Sequence, residues 1–204
     1  MKTVHFVFDF ASPNSYLVYK VLPNILEKLN SKLIYTPCLL GGIFKLTNNQ
    51  SPMSAFAHVL GKNNYEDLEF ERFIEANQIK TYVENPYFPV NTLIMMRGAI
   101  VAQNEGYLEE YVKVGFHHMW ETPKKMSDPE IYKKAMSSSG LNGSDLLEKS
   151  QIQDVKDRLM EKVIKPIKIT KKNFAMYGDL ISSDDVKPMD INAGYAKRFD
   201  NLAD

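Results

Sequence analysis

The stretch TVHFVFDFASPNSYLVYKVL (residues 3–22) decides the fold. Residues 3–10 are nearly continuous β-formers, which is typical of a strand covered on both faces of a sheet. Ser12 followed by Pro13 is typical of a helix N-cap and the first helical position. The stretch therefore predicts a buried strand that turns directly into a capped helix.

The chain after this turn completes a strand–helix–strand unit. Residues 32–37 are β-formers and predict a second strand. Such a unit indicates a parallel sheet with a right-handed crossover. Between the two strands, apolar residues recur at helical spacing and form one stripe toward the sheet: Leu17, Val18, Val21, Leu22, Ile25, Leu26 and Leu29.

The remaining sequence is mostly helical. Residues 46–149 predict short helices and loops, including one helix capped by Asn91 or Thr92. Residues 150–163 predict a further helix, and residues 167–170 a short strand. The chain is therefore expected to be an α/β protein in which a helical insertion interrupts a small parallel-sheet domain.

Composition narrows the function. The chain has 25 basic residues (Lys and Arg) and 25 acidic residues (Asp and Glu), so its formal net charge is zero. A neutral chain gives no electrostatic reason to expect binding to nucleic acid or to an anionic membrane. We find no signal peptide and no apolar run of about 20 residues, and we predict a cytoplasmic protein. Cys38 is the only cysteine and is expected to be a small buried apolar residue. Adjacent His117 and His118 point about 100° apart on a helix, and we predict no metal site.

The turn at Ser12 is the strongest candidate site. The first turn of a helix leaves backbone N–H groups free and carries a positive partial charge, which together favour an anion or a thiolate. The Ser12 hydroxyl lies where it could donate a hydrogen bond to that anion. The alternative is that Ser12 is only a cap, worth about 1 kcal/mol.

Several motifs resemble one family. The segment Phe8-Asp9-Phe10-Ala11-Ser12-Pro13-Asn14-Ser15-Tyr16-Leu17 resembles the opening of the kappa-class glutathione transferases and the 2-hydroxychromene-2-carboxylate isomerases. These proteins have a DsbA-like thioredoxin fold with a helical insertion. Later matches follow in order: Asn49 with Pro52, Phe88-Pro89-Val90-Asn91-Thr92-Leu93, Trp120, and Ser127-Asp128-Pro129-Glu130. The resemblance implies a discontinuous thioredoxin-like domain (1–45 and 150–204) and a helical insertion domain (46–149).

The resemblance also implies a cofactor, glutathione. Ser12 and Ser15 stand where dithiol relatives carry two cysteines, so the family uses the thiolate of glutathione instead. Ser12 is then the catalytic residue that hydrogen-bonds the sulfur. The cofactor-binding residues implied by the family motifs are Ser12, Asn49, Phe88, Pro89 and Asn91.

Three functions follow. The first is a glutathione-dependent isomerase of an unsaturated aromatic α-keto acid, the 2-hydroxychromene-2-carboxylate type, in aromatic catabolism. The second is a kappa-like glutathione transferase. The third is a non-catalytic binding protein, because the family's late Phe-Gly-x-Pro motif is missing and Pro166 is the only proline before a strand-like run. In either enzyme the partner is a small molecule, and since family members are often dimers, a homodimer is also expected.

Overall fold

The computed structural model describes residues 2–173, with side chains through residue 165. Its elements follow one another as two strands separated by a helix and then a long helical series. The observed bounds are β1 (Thr3–Phe8), α1 (Pro13–Lys28), β2 (Lys32–Pro37), α2 (Leu40–Thr47), α3 (Pro52–Ala55), α4 (Lys62–Ala76), α5 (Leu93–Glu105), α6 (Leu108–Trp120), α7 (Pro129–Ser138), α8 (Gly143–Lys149) and α9 (Gln153–Asn173).

The strand–helix–strand prediction is confirmed. β1 and β2 pair in parallel, from Thr3 opposite Lys32 to Phe8 opposite Pro37. Burial alternates along β1, and Val7 is 47% exposed. The expectation that both faces of this strand are covered is therefore wrong for the part of the chain that the structure describes, where one face packs on the helices and the other stays open.

The predicted helical series is observed, but the predicted strand at residues 167–170 is wrong. This segment belongs to α9, which runs without a break through Pro166. Val155, Leu159 and Val163 are buried at four-residue spacing, so the helix has an apolar stripe that packs against the core. A four-residue apolar run is too short to show whether its period is that of a strand or of a helix. Here α9 begins before residues 167–170 and continues through them.

The core extends from the buried face of β1 through helices α1, α5 and α6, and buried residues of α7, α8 and α9 complete it. Phe10 packs edge-on against Phe116, with ring centroids 5.0 Å apart. Gly115 of α6 allows this approach, because a Cβ there would overlap a ring carbon of Phe10. The close packing of α6 on the segment after β1 fixes the backbone immediately before Ser12.

The two domains predicted from the family stay a prediction. The described helix α9 packs against α2, α5 and β2, and so joins elements from both predicted units. Residues 174–204 of the predicted thioredoxin-like unit lie outside the described residues. None of the helices in residues 2–173 is long and apolar enough to cross a membrane.

His118 is a buried histidine that should make stability depend on pH. Its Nε2 lies 3.1 Å from the Ala135 carbonyl oxygen and 2.8 Å from the Ser139 hydroxyl. Burial, with smaller contributions from Lys124 and His117, lowers the pKa of His118 to about 4 from 6.5. Between these values the unfolded chain binds a proton that the folded chain does not, so the contribution of His118 to stability is complete above pH 6.5 and lost toward pH 4.

We expect the free energy of unfolding to fall as the pH is lowered from 7 to 4, by up to about 1.4 kcal/mol per pH unit from this residue. Urea unfolding at several pH values measures it. His118→Gln should flatten the dependence, whereas His58→Gln, at an exposed histidine, should leave it as in the wild type. An equal slope in the wild type and His118→Gln would contradict the assignment.

Candidate functional site

Ser12 occupies the predicted N-cap of α1. Its backbone is extended (φ −89°, ψ 116°), and Pro13 begins the helix. The Ser12 Oγ accepts a hydrogen bond from the Ser15 backbone N–H at 3.2 Å. The hydroxyl group is half-buried, and among the described residues its own hydrogen has no acceptor. Ser12 is therefore a cap whose hydroxyl still has a hydrogen to donate to a ligand.

Asp9 is the structural centre of the turn, a role that no sequence pattern indicates. Its carboxylate accepts hydrogen bonds from the Ala11 N–H (2.9 Å), the Thr92 hydroxyl (2.6 Å) and the Leu40 N–H (2.7 Å). Leu40 begins α2 and Thr92 is the N-cap of α5, so the first turns of α1, α2 and α5 meet around one buried carboxylate.

Two opposing effects act on the Asp9 carboxyl. Burial raises its pKa, and the hydrogen bonds from Ala11, Thr92 and Leu40 lower it, so that the net pKa stays above its ordinary value. The three donors compensate for part of the cost of removing this carboxylate from water. Asp9 therefore acts as a buried link that holds three helix starts in register beside Ser12.

Trp120 fixes the other side of the turn. Its indole N–H donates to the Phe10 carbonyl oxygen at 2.9 Å. Its own carbonyl oxygen accepts from the Val83 N–H at 2.7 Å. Phe88 packs on the indole ring at a centroid distance of 5.9 Å. The segment that begins at Phe88 is therefore anchored to the Ser12 turn through Trp120.

The predicted cofactor-binding residues are not equally placed. The peptide bond between Phe88 and Pro89 is cis, and Phe88 is half-buried, whereas Pro89 and Asn91 are exposed. Asn91 Oδ1 accepts from the Leu93 N–H at 3.0 Å, one residue from the Thr92 bond to Asp9. This segment therefore borders the Ser12 turn, held by Trp120 at one end and Asp9 at the other.

Asn49 lies farther from the Ser12 turn than the other predicted cofactor-binding residues. It follows the C-terminal end of α2, whose first residue meets Asp9, and an eight-residue helix places its ends about 12 Å apart. Asn49 Oδ1 accepts from the Gln50 N–H at 2.9 Å, and the residue is exposed. The described contacts thus connect Asn49 to the Ser12 turn only through the length of α2.

Cys38 is buried, as predicted, at 3% exposure. Its thiol donates to the Lys162 carbonyl oxygen at 3.4 Å. Burial, reinforced by the nearby Asp9 carboxylate, raises the pKa of Cys38 to about 12. The thiol is therefore protonated near neutral pH and cannot serve as a nucleophile.

A polar cluster that no sequence motif indicates supports the first turns of α1. Glu121 accepts from Tyr16 and Lys20 of α1, both at 3.0 Å, and lies 3.0 Å from His117 Nδ1. Burial raises the pKa of Glu121, but the hydrogen bonds from His117, Lys20 and Tyr16 outweigh it and hold the pKa below its ordinary value. Glu121 therefore ties the end of α6 to α1 just beyond Ser12.

Comparisons with known proteins agree with this architecture. A family model described as a DsbA-like thioredoxin domain matches residues 3–171. A second model, described as ureidoglycolate lyase, matches residues 161–204, less than a quarter of the chain and mostly outside the described residues. This second match begins in the part of the chain where the late Phe-Gly-x-Pro motif is missing.

Individual proteins are also similar to the chain. Glutathione S-transferase kappa 1 of Rattus norvegicus is 25% identical over 170 residues, which cover 78% of this chain and 73% of the relative. A solved structure of a selenomethionine 2-hydroxychromene-2-carboxylate isomerase superposes with a TM-score of 0.70 at 18% identity. It covers 98% of this chain and 96% of that protein. The solved structure shows a shared fold.

Proposed function

Because the chain belongs to the DsbA-like thioredoxin domain family, we propose that it is a glutathione-dependent enzyme whose cofactor binds by its sulfur at the first turn of α1. The observation that carries this proposal is the Ser12 hydroxyl, which caps α1 and still has a hydrogen free to donate. The kappa-class relative supports the choice of glutathione.

The residues at this turn fit a sulfur anion. The start of α1 supplies a positive partial charge, and no acidic side chain lies in its first turn. The Ser12 hydroxyl adds a directed donor, and both effects favour the ionised form of a bound thiol. The sulfur must come from a ligand, since Cys38 is buried and protonated.

We propose that the reaction is the isomerisation of an unsaturated aromatic α-keto acid of the 2-hydroxychromene-2-carboxylate type. When bound, glutathione would supply a nucleophile that adds reversibly to the substrate, so that a double bond becomes single, rotates and re-forms. Ser12 would hold the sulfur at the helix start, and Phe88 and Asn91 would border the pocket. We place Pro89 and Asn49 among the cofactor contacts on the family motifs alone.

A kappa-like glutathione transferase is the second candidate, favoured by the curated relative. Product analysis separates the two. The purified protein is incubated with glutathione and either an unsaturated α-keto acid or an electrophilic aromatic halide. A rearranged keto acid free of glutathione supports the isomerase, and a stable glutathione conjugate supports the transferase.

The non-catalytic reading predicts a different result. Calorimetry at millimolar glutathione then shows no binding, and neither assay gives product. The homodimer and the cytoplasmic location expected from the sequence stay predictions.

A further inference from the structure

Arg97 is a cation that has no counter-charge among the described side chains. It lies on α5, and its Nε is buried with no hydrogen-bond partner. Within residues 2–165, where side chains are described, no carboxylate forms an ion pair with it. Orphaned N–H groups of this kind are uncommon, because each one loses its hydrogen bonds to water without replacement. Among the described side chains this guanidinium has no anionic partner, so it is available to an anion that a ligand supplies.

The position of Arg97 follows from the helices around it. Asn104 lies seven residues farther along α5, within about 20° of the same helix face, and its Oδ1 accepts from Arg158 of α9 at 3.2 Å. Arg97 therefore lies on the face of α5 that turns toward α9. Beyond Arg158, α9 passes over the start of α2, because a Cβ on Gly42 would lie 3.3 Å from the methyl carbons of Val163.

The N-terminal end of α5, which carries Arg97, meets the Ser12 turn. Side chains on a helix lean toward its N-terminus, and Arg97 is four residues, or about 6 Å of helix, after Leu93. The residue before Leu93 is Thr92, whose hydroxyl bonds the Asp9 carboxylate at the base of the turn. A tripeptide spans about 10 Å when extended, so a ligand at Ser12 has the length to bring a carboxylate to this end of α5.

We propose that Arg97 binds a carboxylate of the small-molecule ligand held at this end of α5. An arginine fork matches a carboxylate in shape and charge and forms two parallel hydrogen bonds with it. The carboxylate could belong to glutathione or to the α-keto acid substrate. This inference rests on the proposed function for the identity of the ligand, but the buried Arg97 Nε without a partner among the described residues is an observation of the structure alone.

Arg97→Met is the test variant, and Arg158→Met is its matched control. Both arginines lie at the contact between α5 and α9, but Arg158 is exposed and pairs with Asp154 at 2.7 Å. Calorimetry with glutathione and, separately, with pyruvate as a simple α-keto acid measures binding to the three proteins. We expect Arg97→Met to lower the affinity for one of the two ligands roughly tenfold to a hundredfold, which corresponds to the loss of a hydrogen bond to a charged group. Arg158→Met should change neither.

A second measurement separates binding from a structural role. Without ligand, Arg97→Met should unfold at the same or a higher urea concentration than the wild type, because it removes a buried N–H group that lacks a partner among the described residues. A structural arginine would give the opposite result. Loss of glutathione affinity assigns the carboxylate to glutathione, and loss of pyruvate affinity alone assigns it to the substrate.

The outcomes distinguish this inference from the proposed function. If glutathione and pyruvate bind the wild type and Arg97→Met equally well, the assignment of Arg97 is overturned and the glutathione proposal stands. If glutathione fails to bind the wild type while pyruvate binds through Arg97, the glutathione proposal is overturned and the assignment of Arg97 stands. If neither ligand binds the wild type at millimolar concentration, both are overturned.

Discussion

Replacing Ser12 by alanine is expected to lower turnover with glutathione roughly tenfold to a hundredfold while leaving the fold intact. The hydroxyl is positioned to donate to a sulfur anion, and hydrogen bonds to charged groups contribute about 1.5–3 kcal/mol. The same substitution removes the cap bond to the Ser15 N–H, which costs only about 1 kcal/mol of stability. Activity and stability should therefore change by very different amounts, as measured by kcat/KM and by urea unfolding.

Asn142→Ala is a matched control for this prediction. Asn142 caps α8 with a bond to the Asp145 N–H at 3.1 Å, at a helix that takes no part in the proposed site. The loss of this cap should lower stability about as much as Ser12→Ala and leave kcat/KM unchanged. If both variants lose activity equally, Ser12 acts only as a cap and has no special role in the reaction.

Replacing Asp9 by alanine is expected to produce the largest loss of stability, about 3–5 kcal/mol. The substitution leaves the Ala11 N–H, the Leu40 N–H and the Thr92 hydroxyl without their acceptor. Each unsatisfied buried donor costs about 1–3 kcal/mol. Because these donors belong to the turn before α1 and to the starts of α2 and α5, glutathione binding should weaken as well.

A graded series tests this explanation. Thr92→Val removes one donor and keeps the shape of the side chain, so it should cost about 1–2 kcal/mol. Asp9→Asn keeps one oxygen acceptor but turns an N–H toward one of the donors, and it should lie between Thr92→Val and Asp9→Ala. Urea unfolding followed by circular dichroism gives the order. A loss below 1 kcal/mol for Asp9→Ala would show that Asp9 does not hold these helices together.

Local chemistry explains what the sequence predicted well. The Ser12–Pro13 helix start and the parallel pairing of β1 with β2 depend on neighbouring residues and on side-chain periodicity. Both are present in the structure with the expected residues. The strand predicted at residues 167–170 failed because four residues are too few to distinguish an apolar strand from the end of a helix.

Long-range contacts explain what the sequence missed. Asp9 reads as an ordinary turn residue, and its importance comes from Thr92, 83 positions away. Glu121 and Tyr16 are likewise joined across 105 positions. No periodicity or capping rule pairs such residues. The buried Arg97 Nε is likewise recognised only in three dimensions, where it has no partner among the described residues. The sequence thus predicted the candidate site through Ser12 alone. The residues that support Ser12 became evident only in the structure.

The central claim is that the start of α1 holds the thiolate of a bound glutathione. The most direct measurement is the pH titration of thiolate absorbance for glutathione bound to the wild type and to Ser12→Ala. We predict that the bound thiol titrates below the ordinary cysteine pKa of about 8.5 in the wild type, and closer to that value in Ser12→Ala. Identical titrations of bound and free glutathione would contradict the claim.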